Sequence, residues 1–151
     1  MTTDAPGSPN AVNREILDAF GAFAKQLGTI SQSVAAGFGI APSDLLALLK
    51  MEGALPMKEL AQRMACDASF VTAVADVLER RGLARREPSE HDRRVKNLVL
   101  TPEGIAAKER LMRELATRMP WCVKLDDAER TCFLNLLRKM TATSPATDTR
   151  E

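Results

Sequence analysis

The stretch "RRGLARREPSEHDRRVKNLVLTPEG", Arg80 to Gly104, joins the end of a charged helical run to two short β-type segments with a dense charge cluster between them. Gly82 stands where a residue of left-handed conformation closes a helix. "LARREP" and "KNLVL" then read as paired strands, so "SEHDRR", Ser89 to Arg94, falls in the turn of a hairpin. Leu98 and Leu100 share one face of the second strand and give it an inward side. Thr101, Pro102 and Glu103 open a new helix with a capping hydroxyl, a proline at the first helical position and an acid near the positive end of the dipole.

Two chemistries compete for the hairpin tip. Ser89, His91 and Asp92 are the residue types of a hydrolytic cluster. Catalysis, however, needs a nucleophile in hydrogen-bond reach of a base that a third group holds, and an exposed tip has no walls to fix these groups or exclude water. The reading is therefore not an enzyme. Arg93 and Arg94 on a projecting loop suit phosphate contact or entry into a narrow minor groove, with Asp92 orienting a guanidinium. From Glu79 to Lys96 seven cations face four acids, a local excess of three on a chain whose net charge is +1. Such a zone provides for focused contact with a polyanion, although a solvated charged surface produces similar counts.

Upstream lie three short helices with tight connections. Ser43 is expected to cap the first, which carries Leu45, Leu46, Leu48 and Leu49 and ends at Glu52-Gly53. After Leu55-Pro56, "MKELAQRM" turns Leu60, Ala61 and Met64 inward; Asp67 caps the third, "ASFVTAVADVLERR". The last two make a helix-turn-helix reading attractive. At 3.6 residues per turn, Phe70, Val71, Val74, Val77 and Leu78 fall near one side of the third helix, and Ser69, Thr72, Ala73, Asp76 and Arg80 on the other. A face that is small and polar near its start fits the DNA major groove; an ordinary solvated helix has the same pattern.

Outside this block, residues 11–36 carry Ile16, Phe20, Phe23, Leu27, Ile30 and Val34 at alternating intervals of four and three. A helix of roughly 25 residues is about 38 Å long, more than a domain this size easily covers, so a partner chain is its expected cover. A helix after Thr101 places Leu111, Leu115 and Met119 on one side and ends at Met119-Pro120. Asp126 and Glu129 form a capping-box-like start for a last helix with Ala128, Cys132, Phe133, Leu136, Leu137 and Met140 on its apolar side. Residues 1–10 and 143–151 are aperiodic and read as disordered tails around a single unit, 11–142.

The 151 residues, 45% apolar and 27% charged, suit one domain with a core. No apolar run approaches the ~20 residues that span a bilayer, and the N-terminus lacks a signal-like pattern; no membrane partner and a cytoplasmic location are expected. Cys66, Cys122 and Cys132 match no zinc or disulfide spacing, and His91 is the sole histidine, so no metal or cofactor is expected.

A helix-turn-helix followed by Asp92, Arg94, Leu98, Leu100, Thr101 and Gly104 resembles the MarR family of winged-helix regulators, with "PSDLLALL", "KELAQRM" and "LERRGL" extending the likeness from about Val12 to Met140. The resemblance implies a mainly α fold: a winged helix-turn-helix domain over 43–101 with a small β-hairpin wing, plus N- and C-terminal dimerisation helices over 11–36 and 102–142. It implies a DNA-binding, ligand-responsive repressor that takes an inverted-repeat operator as a homodimer. Double-stranded DNA, a second copy and a small aromatic or anionic effector are the implied partners. Ser69 and Thr72 match the family's readout positions, Asp92 its wing carboxylate and Arg94 its wing arginine; Phe70, Ala73, Arg86, Arg93 and Lys96 complete the expected DNA-binding set. Phe70 and Ala73 depart from the family's polar and arginine residues, which shifts the expected preference toward thymine methyls and the wing. Phe38, Ile40, Met51 and Trp121 border an effector cleft or pack in the core.

Two alternatives stand beside this reading. One is a winged-helix module that binds protein through Asp76, Glu87 and Glu90 in place of DNA. The other is a redox-sensing regulator, because Cys66 precedes the cap of the third helix and thiols at helix N-termini gain reactivity.

Overall fold

Residues 9–89 and 95–142 are described by a computed structural model. Their order is α1 (Pro9–Gly37), α2 (Pro42–Lys50), β1 (Ala54–Pro56), α3 (Met57–Met64), α4 (Ala68–Arg80), β2 (Ala84–Pro88), β3 (Lys96–Leu100), α5 (Pro102–Ala116), α6 (Pro120–Val123) and α7 (Asp127–Thr141). The chain is mostly helical with one small antiparallel sheet, the winged helix-turn-helix arrangement. It divides into one unit that runs to Leu115 and a second that starts at Ala116.

In the first unit the apolar stripes of α2, α3 and α4 converge. Leu45, Ala47 and Leu48 of α2, Leu60, Ala61 and Met64 of α3, and Val71, Val74, Ala75 and Leu78 of α4 are buried, joined by Met51, Leu55, Leu98 and Leu111. Removing one such leucine side chain would cost about 2–5 kcal/mol. Lys108 Nζ donates to the carbonyl of Met51 at 2.6 Å, so a cation from α5 satisfies a carbonyl beyond the C-terminus of α2.

The sheet order is β1-β3-β2, both pairs antiparallel. Strand β2 pairs with β3 from Ala84 opposite Leu100 to Pro88 opposite Lys96. The hairpin continues one step, where Ser89 N–H donates to Val95 O at 2.8 Å. Strand β1 differs from expectation: Leu55-Pro56 read as a helix entrance, yet Ala54–Pro56 pairs with Val99, Leu98 and Asn97. Three residues are too few to show a period of two, and the terminal proline is tolerated on an edge strand.

Other local expectations shift by a few residues. Helix α1 starts at Pro9, before the expected Ala11, with proline in a first turn where its missing N–H is harmless. Ser43 does not cap α2; Ala41 holds the extended cap position, because Pro42 becomes the first helical residue and Asp44 Oδ2 reaches back to the Ala41 N–H at 3.0 Å. Helix α2 stops at Lys50, before Glu52-Gly53. Asp67 does occupy the cap of α4, and Gly82 has φ of +68°. Phe70 is not inward: it is 47% exposed, about a quarter turn from the stripe filled by Val71, Val74, Ala75 and Leu78. Helix α5 ends at Ala116 rather than Met119.

The "LTPEG" corner is tightly built. Thr101 Oγ1 donates to Gly82 O at 2.6 Å and accepts from Gly104 N–H at 3.0 Å, while Thr101 N–H donates to Leu83 O at 3.1 Å. This ties the start of α5 to the turn between α4 and β2. Gly104 lies so close to that turn that a Cβ there would sit 1.8 Å from Leu83 O.

In the second unit Pro120 opens the short α6. Helix α7 carries the full reciprocal cap: Glu129 N–H donates to Asp126 Oδ1 and Asp126 N–H to Glu129 Oε2, both at 2.9 Å. None of the fifteen residues of α7 is buried.

Candidate nucleic-acid interface

Helix α4 presents Ser69, Phe70, Thr72, Ala73, Asp76 and Arg80 on its exposed side. Thr72 Oγ1 donates to the carbonyl of Ala68 at 2.9 Å. With its proton committed to the helix, Thr72 has a methyl group and acceptor lone pairs left to offer a base edge. The first two turns of α4 thus combine an aromatic ring, two small side chains and a hydroxyl acceptor, with no cation until Arg80.

The hairpin stands beside this helix. Lys96 is exposed at the tip end of β3, opposite Pro88. Asp92, Arg93 and Arg94 lie outside the described residues, as do Glu90 and His91; the strands place their two ends, Ser89 and Val95, at the close of the paired ladder. Arg85 Nε pairs with Glu87 Oε1 at 2.6 Å on the exposed surface.

Arg86, expected with the DNA-facing set, is turned onto α4 instead. Its guanidinium pairs with Asp76 Oδ1 at 2.6 Å and with Glu79 Oε2, and it approaches the Thr72 carbonyl at 3.3 Å. The Arg86 backbone N–H donates to Glu79 Oε1 at 2.8 Å, so Glu79 holds both ends of the residue. Arg86 and Glu79 are partly covered, with side-chain exposures of 24% and 31%, while Asp76 stays open to solvent at 55%. Periodicity did not reveal it, since the partners lie 7, 10 and 14 positions away.

A separate cleft of about 260 Å³ opens in the first unit among Phe38, Ile40, Leu48, Leu83 and Leu111, with Arg81 and Arg110 at its edge. Arg110 lies over the Phe38 ring at 5.0 Å from the centroid. An Arg81 guanidinium nitrogen donates to Gly39 O, linking the residue after α4 to the α1–α2 connection. Phe38 and Ile40 thus line a cleft, whereas Met51 is wholly buried packing and Trp121 belongs to the second unit. Cys66 is half-buried. Among the described residues no cluster of three potential metal ligands occurs, and no single helix is long and apolar enough to cross a membrane.

Residues 43–96, from α2 to the first residue of β3, match the MarR family model. The chain is 46% identical over 68 residues to the HTH-type transcriptional repressor MdtR of Bacillus subtilis (strain 168), a match covering 44% of each protein. It thus spans under half the length of that curated relative. Among solved structures, a MarR family protein from Bacillus stearothermophilus superposes with a TM-score of 0.72 at 25% identity, over 89% of this chain and 96% of that one. A second was solved to explain regulation of DNA binding of Bordetella bronchiseptica BpsR by 6-hydroxynicotinic acid. It shares the fold at a TM-score of 0.67 and 22% identity, over 95% of this chain and all of that one.

Proposed function

We propose that this chain, which is similar to the MarR family of transcriptional regulators over residues 43–96, binds double-stranded DNA as a homodimer and represses transcription from an inverted-repeat operator. The observation that carries this reading is the exposed side of α4, standing next to the paired strands β2 and β3, between which the sequence contains Arg93 and Arg94. Ser69, Phe70, Thr72 and Ala73 enter the major groove, and Arg93, Arg94 and Lys96 hold the flanking phosphates or minor groove, with Asp92 orienting a guanidinium. Thymine methyls and groups that donate to Thr72 supply the sequence preference.

Dimerisation is supported by apolar side chains left uncovered within each unit. On α1, Val12, Ile16, Leu17 and Phe20 are 45%, 59%, 70% and 64% exposed; on α7, Leu134, Leu136 and Met140 are 45%, 53% and 72% exposed. The four on α1 fall within about 140° of its circumference, and an exposed apolar stripe of this kind calls for a partner. An effector is supported by the cleft near Phe38: its apolar walls and two arginines suit a one-ring aromatic anion, and the link from Arg81 to Gly39 couples its occupancy to the end of α4. A protein-binding role in place of DNA has less support, since Asp76 and Glu87 are already paired with Arg86 and Arg85.

Mobility shift with DNA selected from a random pool by the purified protein tests the reading. Binding should weaken steeply with salt, by about 0.9 in log-log slope for each phosphate neutralised. Arg94→Ala should lower that slope by about one. Salt-independent binding, or no retained DNA, would remove the proposal.

A further inference from the structure

We propose that Arg86 is a positioning residue for DNA recognition: clamped by Glu79 and Asp76, it fixes the angle between the wing strand β2 and the recognition helix α4 so that both meet one duplex together. The inference rests on the DNA-binding reading above. It changes what Arg86 does within it, from touching the nucleic acid to aligning the two elements that touch it.

Three observations carry it. Glu79 accepts from Arg86 at both the backbone N–H and the guanidinium, which fixes the strand as well as the side chain. Asp76 Oδ1 and the Thr72 carbonyl take the outer nitrogen, at 2.6 Å and 3.3 Å, so one guanidinium spans about two turns of α4 on the side next to the base-reading residues. A planar fork with donors on several edges can hold three acceptors at once, which a lysine cannot do with the same geometry. Finally, Arg86 is the partner of two acids, so this cluster has a negative balance of one; the arrangement offers a phosphate no uncompensated cation.

Removing a carboxylate near a DNA-facing surface ordinarily tightens binding to a polyanion. The clamp predicts the opposite for the correct sequence. With wild-type protein and its selected duplex as the reference, Glu79→Ala should lower the ratio of specific to scrambled-DNA affinity tenfold or more, while scrambled DNA binds at least as tightly as before. Glu79→Gln, which loses the same charge but keeps one of the two acceptor oxygens, should recover part of that ratio. Arg86→Ala should lower the ratio similarly and leave the salt slope within about half a unit of wild type. The double variant should fall no further than Arg86→Ala alone.

The proposal is overturned if Glu79→Ala and Glu79→Gln behave alike, if either raises the specific ratio, or if Arg86→Ala weakens both duplexes equally and drops the slope by about one, the signature of a phosphate contact. Thermal unfolding of each variant accompanies the binding data; should Arg86→Ala fail to fold, the two Glu79 variants decide alone. Wild-type protein that binds no selected DNA removes the functional reading itself, an outcome distinct from all of these.

Discussion

Replacing Gly104 with alanine sets two physical effects against each other. Gly104 lies in the first turn of α5, and helix propensity alone would favour alanine by about 1 kcal/mol. The added Cβ, however, would stand 1.8 Å from Leu83 O and 2.9 Å from Leu83 C, both backbone atoms. A relaxed carbon–oxygen approach is about 3.3 Å, so the carbonyl or the helix must give way by about 1.5 Å. That carbonyl is the acceptor for Thr101 N–H at 3.1 Å, and the same corner holds the Thr101 hydroxyl against Gly82 O. Overpacking costs about 1–3 kcal/mol and a lost hydrogen bond about 0.5–1.5 kcal/mol. Set against the propensity gain, the net expectation is a loss of about 0.5–3.5 kcal/mol, or a fall in Tm of about 1–14 °C for a chain of this size. Thermal and urea unfolding of Gly104→Ala beside wild type measures it directly. An unchanged or raised Tm would refute the reasoning, because it would mean that propensity decides this position and the close approach does not.

Three further expectations concern a hydroxyl, a strained alanine and an uncovered ring. Thr101→Val keeps the side-chain shape but removes the hydroxyl that donates to Gly82 O and accepts from Gly104 N–H, so it should lower stability by about 1–3 kcal/mol in urea titration; a midpoint equal to wild type would show the staple to be inert. Ala65 closes α3 with φ of 51°, a conformation that costs a residue with a Cβ about 1 kcal/mol, and Ala65→Gly should raise the unfolding midpoint slightly rather than lower it. Phe20→Asp replaces a side chain that is 64% exposed in the single chain, so its folding should change little while sedimentation shows loss of the dimer; an unaltered dimer mass would place the interface elsewhere.

Much of this protein is legible in its sequence because the signals are local. Gly82 closes α4, Thr101 and Pro102 open α5, and Asp126 with Glu129 caps α7, each within a few residues of the atoms it satisfies. The pairing of Ala84–Pro88 with Lys96–Leu100 follows from two short β-type segments on either side of a charged stretch of sequence, and the buried faces of α3 and α4 mostly follow a 3.6-residue period. Where two local signals met, the stronger displaced the other: Pro42 moved the start of α2 ahead of Ser43.

The remainder depended on groups far apart in the chain. Ala54–Pro56 has too little pattern to be recognised as a strand and becomes one only because β3 offers it a free edge. Phe70 is pushed outward because Val71, Val74, Ala75 and Leu78 already fill the stripe that α2 and α3 cover. The order of residues along the chain determined by itself that there is a core, a set of helices and a basic hairpin, since those follow from which residues neighbour one another along the backbone. Whether a given arginine faces a phosphate or a carboxylate was decided by tertiary structure: Arg86 meets Asp76 only when β2 folds back along α4, and no periodicity encodes that encounter.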